Sequence, residues 1–483
     1  LLPEKLRGNA AQTDSKESAE MTDEEAEADS EKESEEVAEE KEIDINAEAD
    51  AAAEAAGKFS VLITAPADTM NLRAAPGLNT AVKEELKAGV ALKWYGDAET
   101  VDNVEFLRVR KQDTNVEGYV SAKFCIDYQF DYNMEDLDLV NISDALYTHD
   151  VMCTDFAELY QAYPGIIGYN LRGQSVDGRD IYEIILGNPD ANNHIMVQAG
   201  IHGREYMTSQ FVMKMLEYYA HYYDTGTYNG VSYADLFYNT AIHVVPMSNP
   251  DGITISQYGD KNLKNPERAK LLRASYEAEK NNFIYREDAN GDFSWADMYK
   301  TPSFDREAEG YTDIISYEDY LKQWKANVNG VDLNNNFDAA WDTIDLKTEP
   351  TYGSFKGHHP CSEPETKLLM DMANERYYNF YLSYHSRGQL MYYDCVGNAP
   401  ETSDASRRLA EFFSAINKYD IVNNATSAST NMGGFGDWTQ LIKGTPSITI
   451  ELGKHPCPLE SEEFMGIWVR NRETWAALCY ELY

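Results

Sequence analysis

"HIMVQAGIHGREYMTSQFVMKMLEYYAHYY", residues 194–223, changes its periodicity halfway along. Ile195 to Ala199 is a short, nearly continuous apolar run, the pattern of a strand. From Tyr206 onward the apolar side chains recur at helical spacing, through Met207, Phe211, Met215, Leu216 and Tyr219. Between them stands the polar turn His202-Gly203-Arg204-Glu205. A strand that feeds through a turn into a helix is the building unit of an α/β sheet. In such sheets ligands gather where strands end, so the turn is the first place to look for chemistry.

The same pattern returns downstream. "AIHVVPMS" (241–248), "YNFYLSYHS" (378–386) and "PSITIELG" (446–453) are apolar strands separated by helical stretches. Residues 153–483 therefore read as an α/β domain, a mixed open sheet with flanking helices. Residues 253–323 are polar and irregular and read as an insertion. Residues 58–128 read as all-β, because "FSVLITA", "ALKWYG", "FLRVRKQ" and "EGYVSAKF" are short β-branched or aromatic segments between turn-rich pieces. Residues 129–152 read as a connector. Residues 1–57 are of low complexity, as in "EKESEEVAEEKEID", and cannot bury enough surface to offset the entropy of ordering, so they read as a disordered acidic tether.

The chain of 483 residues has a formal net charge of −41. Nucleic acid binding needs clustered cations, and so does a polybasic anchor on an anionic membrane, so the charge argues against both. No apolar run is long enough for a transmembrane helix. The chain opens at Leu1 without Met, and the expectation is an exported protein, secreted or cell-wall associated, whose leader or anchor has been removed. Six scattered cysteines form no CxxC pair, which excludes a cysteine metal site and leaves disulfides open.

Three apolar strands end in metal-ligand or acid-base residues: His202 with Glu205, then His385, then Glu451. Imidazole and carboxylate are good Zn²⁺ donors, and three protein ligands leave a fourth position for water. A strand-end histidine alone is more often a satisfied hydrogen-bonding group. His194 and His243 read that way, and His358 and His359 read as loop residues.

Taken in order, "GIHGREY", "MSNPDG", "WKANVNGVDLNNNF", "SYHSRGQLMYY" and "GGFGDWTQLIKGTPSITIELG" resemble the zinc carboxypeptidase family, and "SVDGRDIYEIILGN" resembles its entry strands. "MNLRAAPGLNTAV", "LKAGVALKWYG" and "FLRVRKQDTNVEGYVSAKF" resemble a bacterial SH3-like domain. The pairing resembles bacterial γ-D-glutamyl-diaminopimelate peptidases. The resemblance implies one Zn²⁺ held by His202, Glu205 and His385, with Glu451 as general base and acid. It implies that Asp332 accepts a hydrogen bond from a ligand histidine, that Arg204 touches substrate beyond the scissile bond, and that Asn334 binds substrate. The expected function is hydrolysis of peptidoglycan stem peptides at the γ-D-glutamyl–diamino acid bond. The alternatives are a carboxypeptidase acting on protein-derived peptides and a non-catalytic wall-binding protein.

The chain departs from the family at three places. Asn335 stands where the family's carboxypeptidases carry an arginine that clamps the terminal carboxylate. Ser429 stands at the position of their mobile tyrosine, with Tyr392 and Tyr393 as possible substitutes. Trp324-Lys325 matches a Trp-Arg pair, so Lys325 is the expected stabiliser of the oxyanion. Arg387 is the candidate cation to replace the one lost at Asn335. Asn336 reads as structural.

Overall fold

The computed structural model describes residues 59–127, 132–143, 146–298, 308–426 and 432–483. The acidic tether and Ser429 lie outside the described residues. Seven antiparallel strands between Ser60 and Asp127 form one sheet. Its interior is a small cluster that includes Leu62, Leu72, Leu92, Val109 and Val120. The expected all-β unit is present.

The larger unit is an eight-stranded mixed sheet. Its order is Asp420–Asn423, Leu390–Tyr393, Ser447–Leu452, Phe380–Ser386, Asn193–Ala199, Thr240–Val245, Asp180–Leu186, Ile167–Gln174. Ser447–Leu452, Phe380–Ser386, Asn193–Ala199 and Thr240–Val245 run parallel, and those of Phe380–Ser386 and Thr240–Val245 are buried throughout. Burial on both faces is why they read as continuous apolar runs. Alternation still divides the side chains: Ile195 and Val197 enter one core with Phe211 and Trp468, while Met196 enters another with Phe435 and Trp438. The helix Met207–His221 is buried over nearly its whole length.

Two expectations need correcting. The connector is not a free linker: Leu137, Val140 and Tyr147 belong to the main core, and the helix His149–Ala162 begins inside it. The buried Lys214–Glu217 pair holds it, with Lys214 Nζ donating to the carbonyls of Leu137 (2.5 Å) and Val140 (3.0 Å). Glu217 accepts from the amides of Leu139 and Val140. Nor is 253–323 irregular in its described part. It carries the helices Ala269–Glu279 and Tyr317–Lys322 and a hairpin, Phe283–Glu287 with Phe293–Asp297. Leu272, Phe283, Tyr320 and Leu321 form its own core with Trp324.

Among the described residues no helix is long and apolar enough to cross a membrane. All six cysteines are free thiols.

Candidate active site

His385 and Glu451 are Cα partners on adjacent parallel strands, so both project from the same face of the sheet at its C-terminal edge. His202 and Glu205 come from the turn that follows Asn193–Ala199, the next strand along. This turn is pressed against its neighbours. A Cβ at Gly203 would stand 2.3 Å from the Gly252 carbonyl oxygen, so only glycine lets the two backbones meet. Asn249 ties them, its Nδ2 donating to the carbonyls of Ile201 (3.0 Å) and Lys325 (3.2 Å). Gly203 N–H donates to the Lys325 carbonyl at 3.0 Å.

The three expected ligands meet. His202 Nδ1 lies 2.9 Å from Glu205 Oε1, and His385 Nδ1 lies 3.1 Å from Glu205 Oε2 and 3.2 Å from His202 Nδ1. Their donor atoms all fall within 4.8 Å of one another, and all three side chains are buried. Two imidazole lone pairs and a carboxylate aimed at one point form an N₂O set that a zinc ion fits. Asp332 lies 3.3 Å from the other nitrogen of His202, Nε2. That contact fixes the proton on Nε2 and leaves the Nδ1 lone pair for metal. Asp332 is itself held by the amides of Ser354 (2.9 Å) and Asn334 (3.3 Å).

Glu451 is partly exposed along the cleft. Burial among its neighbours pushes its carboxyl up to about 7, with His385 opposing and Glu205 reinforcing. Lys325 lines the same cleft, and its charge bears on His202, Asp332 and Glu451.

The three asparagines do not share one environment. Asn334 and Asn335 line the cleft, Asn334 Oδ1 accepting from Phe435 N–H (3.2 Å) and Asn335 Nδ2 donating to the Met432 carbonyl (3.2 Å). Asn336 faces away and braces the loop through Lys356, Ser362 and Glu363. Tyr392 lines the cleft and Tyr393 does not.

Arg387 does not meet Asn335. It donates to Asp288 and to the Lys454 carbonyl, each at 2.8 Å, and lines an adjoining cleft that it shares with Arg204. Arg204 is turned there by Gln323 (2.8 Å), although its charge still reaches Glu451. His194 and His243 hydrogen-bond to each other at 2.9 Å and onward to Glu183, which makes them structural. His358 and His359 lie in a loop.

Sequence reasoning missed Asp394, Asp437 and Gln440, which line a cavity of about 330 Å³ together with His202 and His385. Asp394 directly follows the strand Leu390–Tyr393, the same strand-end signal that singled out Glu451.

A family model described as zinc carboxypeptidase matches residues 152–474. The chain is 28% identical over 325 residues to gamma-D-glutamyl-L-diamino acid endopeptidase 1 of Lysinibacillus sphaericus, covering 67% of this chain and 69% of that protein. It is 22% identical over 302 residues to carboxypeptidase B of Astacus astacus, covering 60% of this chain and 80% of that one. Among solved structures, bovine thrombin-activatable fibrinolysis inhibitor in complex with tick carboxypeptidase inhibitor aligns with a TM-score of 0.49 at 15% identity. That alignment covers 70% of this chain and 97% of that one.

Proposed function

We propose, from the fact that this chain belongs to the zinc carboxypeptidase family and is a metallopeptidase using one zinc ion, that it cuts peptidoglycan stem peptides between γ-D-glutamate and a diamino acid. The observation that carries this reading is the cleft around Asn335. Among the described residues its lining holds no arginine, and its one lysine, Lys325, acts on the metal cluster and Glu451. A terminal α-carboxylate of an ordinary peptide would find no bidentate clamp there. The likeness to an endopeptidase for γ-D-glutamyl-L-diamino acid bonds supports the same choice. The reading includes export to the cell wall, where the polymer lies.

His202, Glu205 and His385 would hold the metal, and Asp332 would orient His202. A zinc ion bound there supplies Lewis acidity, polarising the scissile carbonyl and acidifying water. Glu451 takes the proton of the attacking water and returns it to the departing amine nitrogen as the C–N bond breaks. A carboxyl poised near neutrality suits both directions of that transfer. Lys325, which lines the same cleft, would offset the charge that develops on the carbonyl oxygen as a point charge. Arg204, in the adjoining cleft, holds substrate on the acyl side.

Digestion of purified stem tri- and tetrapeptides followed by mass spectrometry tests the proposal. Release of the diamino-acid fragment is expected. Intact stem peptides, together with trimming of ordinary C-terminal residues, would sink it in favour of a carboxypeptidase for protein-derived peptides.

A further inference from the structure

The chain carries 82 acidic and 41 basic residues, yet one cavity outside the catalytic cleft reverses that balance. It holds about 420 Å³, within the ~300–1,000 Å³ of small-ligand sites, and shares no lining residue with the cleft of the metal cluster. Its charged lining is Lys123, Arg387, Lys418, Lys454 and Arg470 against one carboxylate, Asp420. The five cations come from separate segments. Lys123 lies in the turn Ala122–Phe124 of the β unit. Arg387 and Lys454 follow the strands Phe380–Ser386 and Ser447–Leu452. Lys418 caps the helix Pro400–Asn417, and Arg470 lies on the helix Phe464–Asn471. Like charges repel, so their convergence in an acidic chain calls for a cause.

Ordinary structural duties account for two of the five. Arg387 pairs with Asp288 at 2.8 Å. Lys418 sits at a helix C-terminus, where a cation is favoured, and its Nζ donates to the Ala415 carbonyl at 2.8 Å. The other three have no such duty. Among the described residues the ammonium groups of Lys123 and Lys454 make no hydrogen bond or ion pair. Arg470 is 2% exposed, and its Nε and Nη1 donate to the carbonyls of Ala65 and Asn417. Those acceptors are neutral. Burial pushes its guanidinium below the ordinary value, and only the Tyr419 and Cys125 side chains oppose the shift. A buried cation with no carboxylate beside it is unfavourable unless a ligand brings the anion.

The kind of anion follows from the donors. Arg470 presents a planar guanidinium and the lysines present point charges, a combination suited to phosphate groups. With Arg387 already paired, four cations face Asp420 alone. A single carboxylate would leave most of them repelling one another. One phosphate, with about −1.5 to −2 charges, does not exhaust the surplus either.

We propose that this cavity binds an anion with two or more phosphates joined in series, held by Lys123 of the β unit and by Lys418, Lys454 and Arg470 of the catalytic unit. Such a ligand is either a free polyphosphate compound or a segment of a phosphodiester polymer. It sits apart from the scissile bond, and the inference does not depend on which bond the metal site cuts.

Calorimetry on the zinc-loaded full chain tests it, with pyrophosphate, a trimer of glycerol phosphate and tri-L-glutamate as probes. At least one of the two phosphate probes is expected to bind, and more tightly than tri-L-glutamate. Arg470 also ties the two units together, so the lysines are the variants to use. Lys454→Gln should weaken binding about 10-fold, the size of one hydrogen bond to a charged group. Lys123→Gln, at an exposed position, should weaken it about 2- to 5-fold. Lys270→Gln removes the same charge from an exposed pair with Glu267 outside the cavity and should leave binding unchanged. Circular dichroism and zinc content check that each variant is folded.

Preference for pyrophosphate would assign a free compound and preference for the trimer a polymer segment; both keep the site. No binding of either phosphate probe would overturn the inference. So would equal binding of tri-L-glutamate, which would make the cavity a general anion patch. Phosphate binding indifferent to both Lys454→Gln and Lys123→Gln would place the probe on the zinc ion instead, and the proposed site would fall.

Discussion

Glu451 and His385 sit side by side on adjacent strands, yet their expected tasks differ, and substitution separates them. Glu451→Gln removes the proton carrier and keeps the shape. Turnover should fall on the order of 10²- to 10⁴-fold, the usual contribution of a general acid-base group. Zinc measured by metal analysis should stay near one per chain; loss of the metal would mean that Glu451 is a ligand and not the base. Asp332 acts through His202, so its substitution should read out differently. Asp332→Ala removes the partner of His202 Nε2 and frees the imidazole to change tautomer. Zinc affinity in a chelator competition is expected to weaken on the order of 10- to 100-fold, with turnover recovering at excess zinc. Unchanged zinc affinity would make Asp332 a brace for the Asn334 and Ser354 loops alone.

The elements that carry the ligands were legible in the sequence for a local reason: each ligand or base ends an apolar strand or follows one directly, and both facts fit in one short window. Asp437 was not legible. It reaches the cleft only because the helix Phe435–Leu441 packs on the sheet with its N-terminus towards Asn334, a tertiary arrangement that no window contains. Arg387 misled for the same reason, since two residues past His385 the chain has already turned towards Asp288 of the hairpin. Another helix start makes a pH-dependent prediction. Glu365 opens the helix Pro364–Glu375 and is buried, accepting from Val176 N–H (3.1 Å) and Asn327 Nδ2 (3.3 Å). A helix N-terminus favours an anion, but burial outweighs it, and with Asp251 nearby the carboxyl is pushed up to about 8 from 4.5. The folded state therefore holds this proton more tightly than the unfolded chain does. Its stabilising contribution is complete below about pH 4.5, is lost as pH rises towards 8, and is absent above. Glu365→Gln should cancel that slope. Denaturant melts of both proteins from pH 5 to 8.5 should show the variant gaining on the wild type by an amount on the order of a few kcal/mol. A constant difference across the range would mean that Glu365 is ionised when folded.

The two units of the molecule meet at the helix Phe464–Asn471 and at an Asp68–His455 ion pair, and the junction combines polar and apolar contacts. Arg470 is buried between them, its Nε donating to the Ala65 carbonyl (3.0 Å) in the β unit and its Nη1 to the Asn417 carbonyl (2.9 Å) in the catalytic unit. Val469 packs with Ala65 and Ile126 in a small shared cluster. Such a cluster is worth only a few kcal/mol in buried apolar surface, so close approach matters. Gly466 permits it: a Cβ there would stand 2.5 Å from the Pro66 carbonyl oxygen, a backbone atom that cannot rotate aside. Gly466→Ala should therefore push the Ala65–Ala67 turn off the helix and lengthen the Arg470 bond to Ala65. Alanine favours the helix itself by about 1 kcal/mol over glycine, so the catalytic unit should not lose stability from the change. Hydrogen exchange distinguishes the two effects. Amides of Ser60–Thr64 and Cys125–Asp127, which pair at the edge facing the junction, should exchange faster in the variant. Those of Phe380–Ser386, in the middle of the catalytic sheet, should hold their protection. Uniform acceleration in both sets would mean that the units unfold together and that the helix is part of a single cooperative core; no acceleration in either would mean that the turn at Pro66 yields without opening the junction.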